Sequence, residues 1–246
     1  MVFLSKADNS ESELLSIIFN DVHPTTIERY ADHVMRCVIE QYSCLIAWPD
    51  ADERKASYGY FSSYHKAVGI IDGTHCQIRV PLYTEFEHYS GNKGYHTQNY
   101  LIICDFMGLI IFTSSPFSGR DNDRAAFNQS TFANTVCDLL SEDEMILADG
   151  GFRGPGRVLH QYLASDLAAA SKEEDRMNML AWNQEFELNR TLIEHSIHRV
   201  KNRAQALATR YPRNMESQAA LFTAAACLCN KIRLMRIEQQ LDRMLE

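Results

Sequence analysis

A chain of 246 residues with 46% hydrophobic content is long enough to fill a sizeable core. Its formal net charge of -8 excludes a surface coated all over with basic groups for indiscriminate nucleic-acid binding. No stretch approaches the roughly 20 apolar residues that span a bilayer, and the N-terminus lacks the apolar core of a secretory signal, so an intracellular protein without membrane contact is expected.

The first 50 residues suggest two helices, "ESELLSIIF" and "TTIERYADHVMRCVIEQY", separated by "NDVHP", with Thr25 or Thr26 as N-cap of the second. A packing hairpin fits them better than a complete helix-turn-helix, because no third helix or basic recognition face follows. After the polar connector "AWPDADERKAS" come three β-rich runs, "KAVGIIDGTHCQIRV", "QNYLIICDF" and "LIIFTSSPF", the last two joined by a turn at Met107 and Gly108. They predict an antiparallel meander. "DRAAFNQSTFANTVCDLL" then reads as helical, "EMILADGGF" as a fourth strand, and the rest from Val158 onward as helical.

This order predicts an α/β domain over residues 66–246, a mixed sheet of a three-strand meander plus a further strand flanked by helices, behind a short helical segment at 1–65. Seven scattered cysteines suit reduced thiols, and Cys227 and Cys229 sit in an alanine-rich run that favours helix packing over metal binding. The amphipathic end "NKIRLMRIEQQLDRMLE", with Ile232, Met235, Leu241 and Leu245 broadly on one side, is expected to dock onto the domain.

Charge is unevenly distributed. Between Arg190 and Arg236 there are nine Lys/Arg against two Asp/Glu, a candidate polyanion-facing surface in an acidic chain.

Two of the apolar strands end on an aspartate followed by glycine: Asp72-Gly73 and Asp149-Gly150. Either alone reads equally well as a turn cap. If the two strands lie side by side, their carboxylates repel unless a cation lies between them. A third acid, Glu194, shares a helical face with His198 and Lys201, with Arg190 one turn earlier; taken alone, that spacing reads as a surface salt-bridge network. Three carboxylates from two strands and a helix suit a hard cation such as Mg²⁺ or Mn²⁺. Two such ions about 4 Å apart activate a water or a 3′-hydroxyl and stabilise the leaving oxygen of a phosphodiester.

The ordered series "IDGTH", "GNKGYHTQNYLIICD", "SGRDNDRAAF", "ILADGGF" and "WNQEFELNRTLIEHSIHRVKNRAQAL" resembles the DDE superfamily endonuclease domain of Harbinger (PIF-like) transposases and nucleases derived from them. The resemblance runs from about Lys66 to Ile232. It implies an RNase H-like fold and a metal-dependent DNA endonuclease or transposase cutting and joining strands at transposon ends. Carried over by position, Asp72, Asp149 and Glu194 are the catalytic and metal-binding acids, and Asp123 is a further metal ligand. Arg190, Lys201 and Arg203 match the family's basic positions, Asn183 its asparagine, and Lys93 lies in its substrate loop; Lys93, Arg190, Lys201 and Arg203 are the expected DNA contacts. His75, on the opposite strand face from Asp72, is read as structural or as a support behind the metal-binding acids.

The pattern is not complete. Asn122 stands where the family has histidine, Ser118-Gly119 where it has Pro-Gly, and Asn92-Lys93-Gly94 where it has Arg-Lys-Gly. These departures keep a second reading open, a catalytically silent, domesticated DNA- or chromatin-binding protein. The resemblance further implies duplex DNA with terminal repeats as ligand, a nuclear location, and sequence-specific targeting shared with a Myb-like partner; pairing with a second copy of the chain is the alternative use of the amphipathic end.

Overall fold

The computed structural model describes residues 16, 18, 21–81, 83–152, 157–209 and 214–245. The helix expected over "ESELLSIIF" lies almost wholly outside these residues.

The described chain runs α1 (Pro24–Tyr42), α2 (Ala51–Ala56), β1 (Ala67–Gln77), α3 (Glu85–His88), β2 (Tyr89–Ser90), β3 (Tyr95–Cys104), β4 (Ile110–Thr113), β5 (Phe117–Ser118), α4 (Asp123–Gln129), α5 (Thr131–Leu139), β6 (Met145–Ala148), β7 (Val158–His160), α6 (Ala164–Ala169), α7 (Glu173–Arg203) and α8 (Met215–Leu245). β1 pairs antiparallel with β3 and parallel with β6, and β6 pairs parallel with β7. The far edge of β3 is shared by β2, β5 and β4. A meander followed by two parallel strands, with helices on both faces, is an RNase H-like fold.

Period-two alternation decides which helix each strand residue meets. Ile70, Tyr100, Ile102 and Leu147 turn to the face covered by α7 and α8, against Phe186, Ile193, Val200, Leu221 and Phe222. Their neighbours Ile71, Leu101, Ile103 and Ala148 turn to the other face, against Phe127, Phe132 and Val136 of α4 and α5. Tyr100 stacks on Phe222 with ring centroids 4.0 Å apart. Buried Asn230 of α8 ties that helix to β4: its Oδ1 accepts from Ile110 N at 2.8 Å and its Nδ2 donates to the Ile110 and Leu45 carbonyls at 2.7 Å.

Four local expectations are corrected. α1 begins on Pro24 at its first turn, and His23, not a threonine, is the cap, its ring accepting from Thr25 N. The helix expected after Asp121 is two helices, because Ser130 leaves helical geometry and its Oγ accepts from Ala133 N as cap of α5. Val158–His160, read as helical, is a strand. The end of α8 does not dock: Leu241 and Leu245 are 55% and 88% exposed. Cys227 and Cys229 are buried in α8, as the alanine-rich run suggests.

Candidate active site

The register between β1 and β6 pairs Ile71 with Ala148, so Asp72 and Asp149 follow at adjacent positions. β6 ends there, which leaves Asp149 at the mouth of a gap between strands while β1 continues beside β3. By alternation from Ile70, Asp72 belongs to the face that α7 covers. α7 carries Arg190 and Glu194 to that place, beside its buried stripe of Phe186, Ile193 and Val200.

Arg190 joins the acids. Its guanidinium lies 4.0 Å from Asp149 Oδ2, 3.8 Å from Glu187 Oε1 and 3.3 Å from Glu194 Oε1. The Nε nearest Glu194 is buried without an aligned hydrogen bond, so the contact is electrostatic. Asp149 also accepts the Gly151 N–H, which closes the turn after β6.

Asp72 accepts the Gly73 N–H at 2.8 Å. Burial above all, with Asp123 and Asp149 adding to it and the Gly73 amide and Arg190 opposing, pushes its carboxyl up to about 7. This is the response expected of a carboxylate drawn from water among like charges.

Asp123 arrives from the opposite face of the sheet, at the first turn of α4, whose N-cap is Asn122 accepting from Ala125 N at 2.9 Å. With Asn122 as the cap, the Asp123 carboxylate is left for the site. A Cβ at Gly73 would stand 2.0 Å from Asp123 Oδ1, so only glycine admits that carboxylate. Gly73→Ala is accordingly expected to displace the Asp123 carboxylate and cost about 1–3 kcal/mol; urea unfolding measures the cost, and an unchanged midpoint would show that the close approach is not needed.

Asn99, fully buried on β3, donates from Nδ2 to Asp123 Oδ1 at 3.3 Å and leaves its Oδ1 without a partner. His75 faces Asn99 across the strand pair and hydrogen-bonds through Nδ1 with Thr97 Oγ1 at 2.8 Å. Burial lowers the His75 ring's affinity for a proton; Asp123 opposes this, and Lys93 and Lys201 add to it.

Lys201 donates to the His75 carbonyl at 2.8 Å, which holds its ammonium beside β1. Lys93 is exposed in the turn before β3. Arg203, last residue of α7, is exposed and interacts with the Cys229 thiol on the side toward α8, apart from the carboxylates. Asn183 pairs in both directions with the backbone of Tyr162 at 2.8 Å, pinning the segment before α6 onto α7.

The donors around Asp72 are hard oxygens of the kind that bind Mg²⁺ or Mn²⁺, and Arg190 and the Gly73 and Gly151 amides offset part of their shared charge. Their chemistry fits a divalent cation. Among the described residues no three His, Cys, Asp or Glu side chains lie close enough to hold one ion together.

A protein-family profile described as DDE superfamily endonuclease matches residues 71–230. Among curated proteins, those named "Putative nuclease HARBI1" are similar to this chain. The one from Rattus norvegicus is 24% identical over 59% of this chain and 41% of its own length. The Xenopus laevis protein is 24% identical over 64% and 45%, and the Homo sapiens protein 24% over 53% and 38%. The chain thus spans less than half the length of these relatives. No solved structure matches.

Proposed function

Because the chain belongs to the DDE superfamily endonuclease family, we propose that its acidic pocket cleaves and joins phosphodiesters of duplex DNA, as at transposon ends, by a two-metal mechanism. The observation that carries this reading is the adjacency of Asp72, within β1, and Asp149, just past the end of its parallel partner β6, facing the helix that brings Arg190 and Glu194.

Asp72, Asp149 and Glu194 are the acids that would hold Mg²⁺ or Mn²⁺, with Asp123 approaching over Gly73. Bound there, the ions would supply an activated water or 3′-hydroxyl and a counter-charge for the leaving oxygen. Arg190 balances Asp149 and Glu194 meanwhile, and its swing toward a phosphate would free their oxygens. Lys201, anchored on the His75 carbonyl, and Lys93 in its exposed turn flank the pocket as phosphate contacts. Asn99 and the His75–Thr97 pair hold Asp123 and the end of β1 in place.

The test is nicking of duplex DNA by purified protein in Mg²⁺ or Mn²⁺. Asp149→Ala is expected to lower the rate by at least about three orders of magnitude, the loss of several kcal/mol of charge stabilisation. Equal cleavage by wild type and variant would assign the activity to a contaminant.

A silent DNA- or chromatin-binding protein is favoured instead by the ungathered carboxylates and by Asn122 serving as a helix cap. Calorimetric titration with Mn²⁺ separates the two: the nuclease takes up ions that Asp149→Ala does not, and the silent protein binds none.

A further inference from the structure

α7 presents a second charged flank. Arg190, Glu194 and Lys201 lie on one side of its buried stripe, whereas Arg199 and Arg203 lie on the other, where α8 packs. There Arg199 and Arg203 meet Arg233 and Arg236 of α8 around an open cleft of about 200 Å³ that also touches Asn202 and Cys229.

Two of the four guanidiniums are anchored. Arg199 Nη2 donates to the Gly108 carbonyl at 2.7 Å and to Ser196 Oγ at 2.8 Å; Arg233 Nε donates to the Met107 carbonyl at 3.0 Å. Gly108, at a φ of +72°, makes the room: a Cβ there would stand 2.7 Å from Arg199 Nη2. The β3–β4 turn thus holds two arginines with donors left over, while Arg203 and Arg236 stay exposed at the rim.

No carboxylate forms an ion pair with any of the four among the described residues. The acid that Arg233 influences is Asp105, whose Oδ1 is taken by the Met107 and Leu109 amides. Burial and the neighbouring Arg233 and Arg236 make Arg199 a less willing cation than usual. Four like charges gathered at one cleft, two of them held there by backbone carbonyls, repel one another until an anion enters. The planar forks match a phosphate's oxygens, and the cleft has room for such a group.

We infer that this α7–α8 cleft is an anion site that takes a backbone phosphate of duplex DNA, on the flank of α7 opposite the acidic pocket. The choice of DNA over free phosphate rests on the DNA reading above; the anion site itself does not. Contact on both flanks of one helix would hold a duplex segment other than the one being cut.

The experiment is fluorescence anisotropy of labelled duplex DNA with the full chain in EDTA at several salt concentrations. Without divalent cation, its outcome is independent of whether the chain cleaves. Arg236→Gln, at an exposed and unanchored position, is expected to weaken binding about five- to tenfold at 0.1 M salt, and to make the slope of log K against log salt shallower by about 0.9, the value for one phosphate contact. Arg203→Gln/Arg236→Gln should lose about twice that slope, whereas Lys55→Gln, on α2, should leave it unchanged. Thermal melts confirm that each variant is folded, and Arg236→Glu serves if Arg236→Gln is not. Wild-type affinity and slope in folded Arg236→Gln would overturn the proposal, as would absence of duplex binding by wild type. Inorganic phosphate that raises the melting temperature of wild type but not of the double variant, with DNA binding unaltered, would identify a free-phosphate site and overturn the DNA assignment.

Discussion

Asp72→Asn is expected to silence metal-dependent cleavage and, in the same protein, to raise metal-free stability above neutral pH. Burial, then Asp123 and Asp149, push the Asp72 carboxyl from 3.8 to about 7, despite the Gly73 amide and Arg190. Between those values the folded state keeps a proton that the unfolded chain has released. Stability therefore falls as pH rises through this window, and the whole penalty is present above about pH 7. A shift of that size is at most about 4 kcal/mol, and solvent reaching a partly exposed carboxyl reduces it to the order of 2 kcal/mol. Asparagine has the same shape, can still accept the Gly73 N–H and carries no charge to desolvate. Melting in EDTA should place the variant above wild type at pH 8, by roughly 4–8 °C for a chain of this size, and level with it near pH 4. Adding Mn²⁺ should then raise the wild-type midpoint with ion concentration and leave the variant unmoved. A variant that melts lower than wild type at pH 8 would mean that Arg190 and the amides over-compensate the carboxylate, and the pocket would have no charge left for a cation.

How much of this site can be read from the residues depends on how local each contact is. Asp72 and Asp149 are legible because each closes an apolar run just before a glycine, but the expected strand end is found only at Asp149: β1 runs on through Asp72 to Gln77, held by its pairing with β3. The pairing of Arg190 with Glu194 is legible from their spacing along one helix, but the reach of Arg190 to Asp149 is tertiary and has no trace in spacing. Asp123 is harder still. Its position is set by Asn122 capping α4 and by the missing side chain of Gly73 on another strand, two facts about space rather than sequence. Asn99 could have been suspected, since a polar residue inside "YHTQNYLIIC" is buried at the expense of its amide unless something needs it. The short strands escape for a different reason. β2 and β5 have two residues each and β7 three, too few for a period to show. The break at Ser130 hides because serine is unremarkable inside an exposed helix and becomes decisive only when its oxygen caps the next one. The four-arginine cleft shows in the chain only as a basic stretch, because two helices must pack before its members meet.

The largest loss of stability is expected away from the pocket, from Glu144→Ala. Glu144 immediately precedes β6, the strand that ends at Asp149, and its carboxylate is wholly buried. Arg54 Nε donates to it at 2.9 Å, the Tyr58 hydroxyl at 2.8 Å and the Ser141 amide at 2.7 Å. Burial pushes the carboxyl up, and the bonds from Ser141, Tyr58 and Arg54 more than reverse it, holding it below the ordinary range. Its contribution is present above the unfolded pKa and is lost as pH falls through the lower folded value. Removing the carboxylate leaves the Arg54 charge enclosed, with the Pro49 carbonyl as acceptor and Asp50 acting only at a distance, and removal of one partner from a buried pair costs about 3–5 kcal/mol. Urea unfolding at pH 7 reads that cost. The pair itself need not be favourable, since two charges give up their water to meet, and Arg54→Met combined with Glu144→Leu should recover at least half of the loss. A single variant within about 1 kcal/mol of wild type would show that Arg54 finds water or another acceptor. Recovery in the double variant would show instead that α2 and the entry to β6 are joined by packing, and that the ion pair serves to set how β6 enters the sheet and therefore where Asp149 stands beside Asp72.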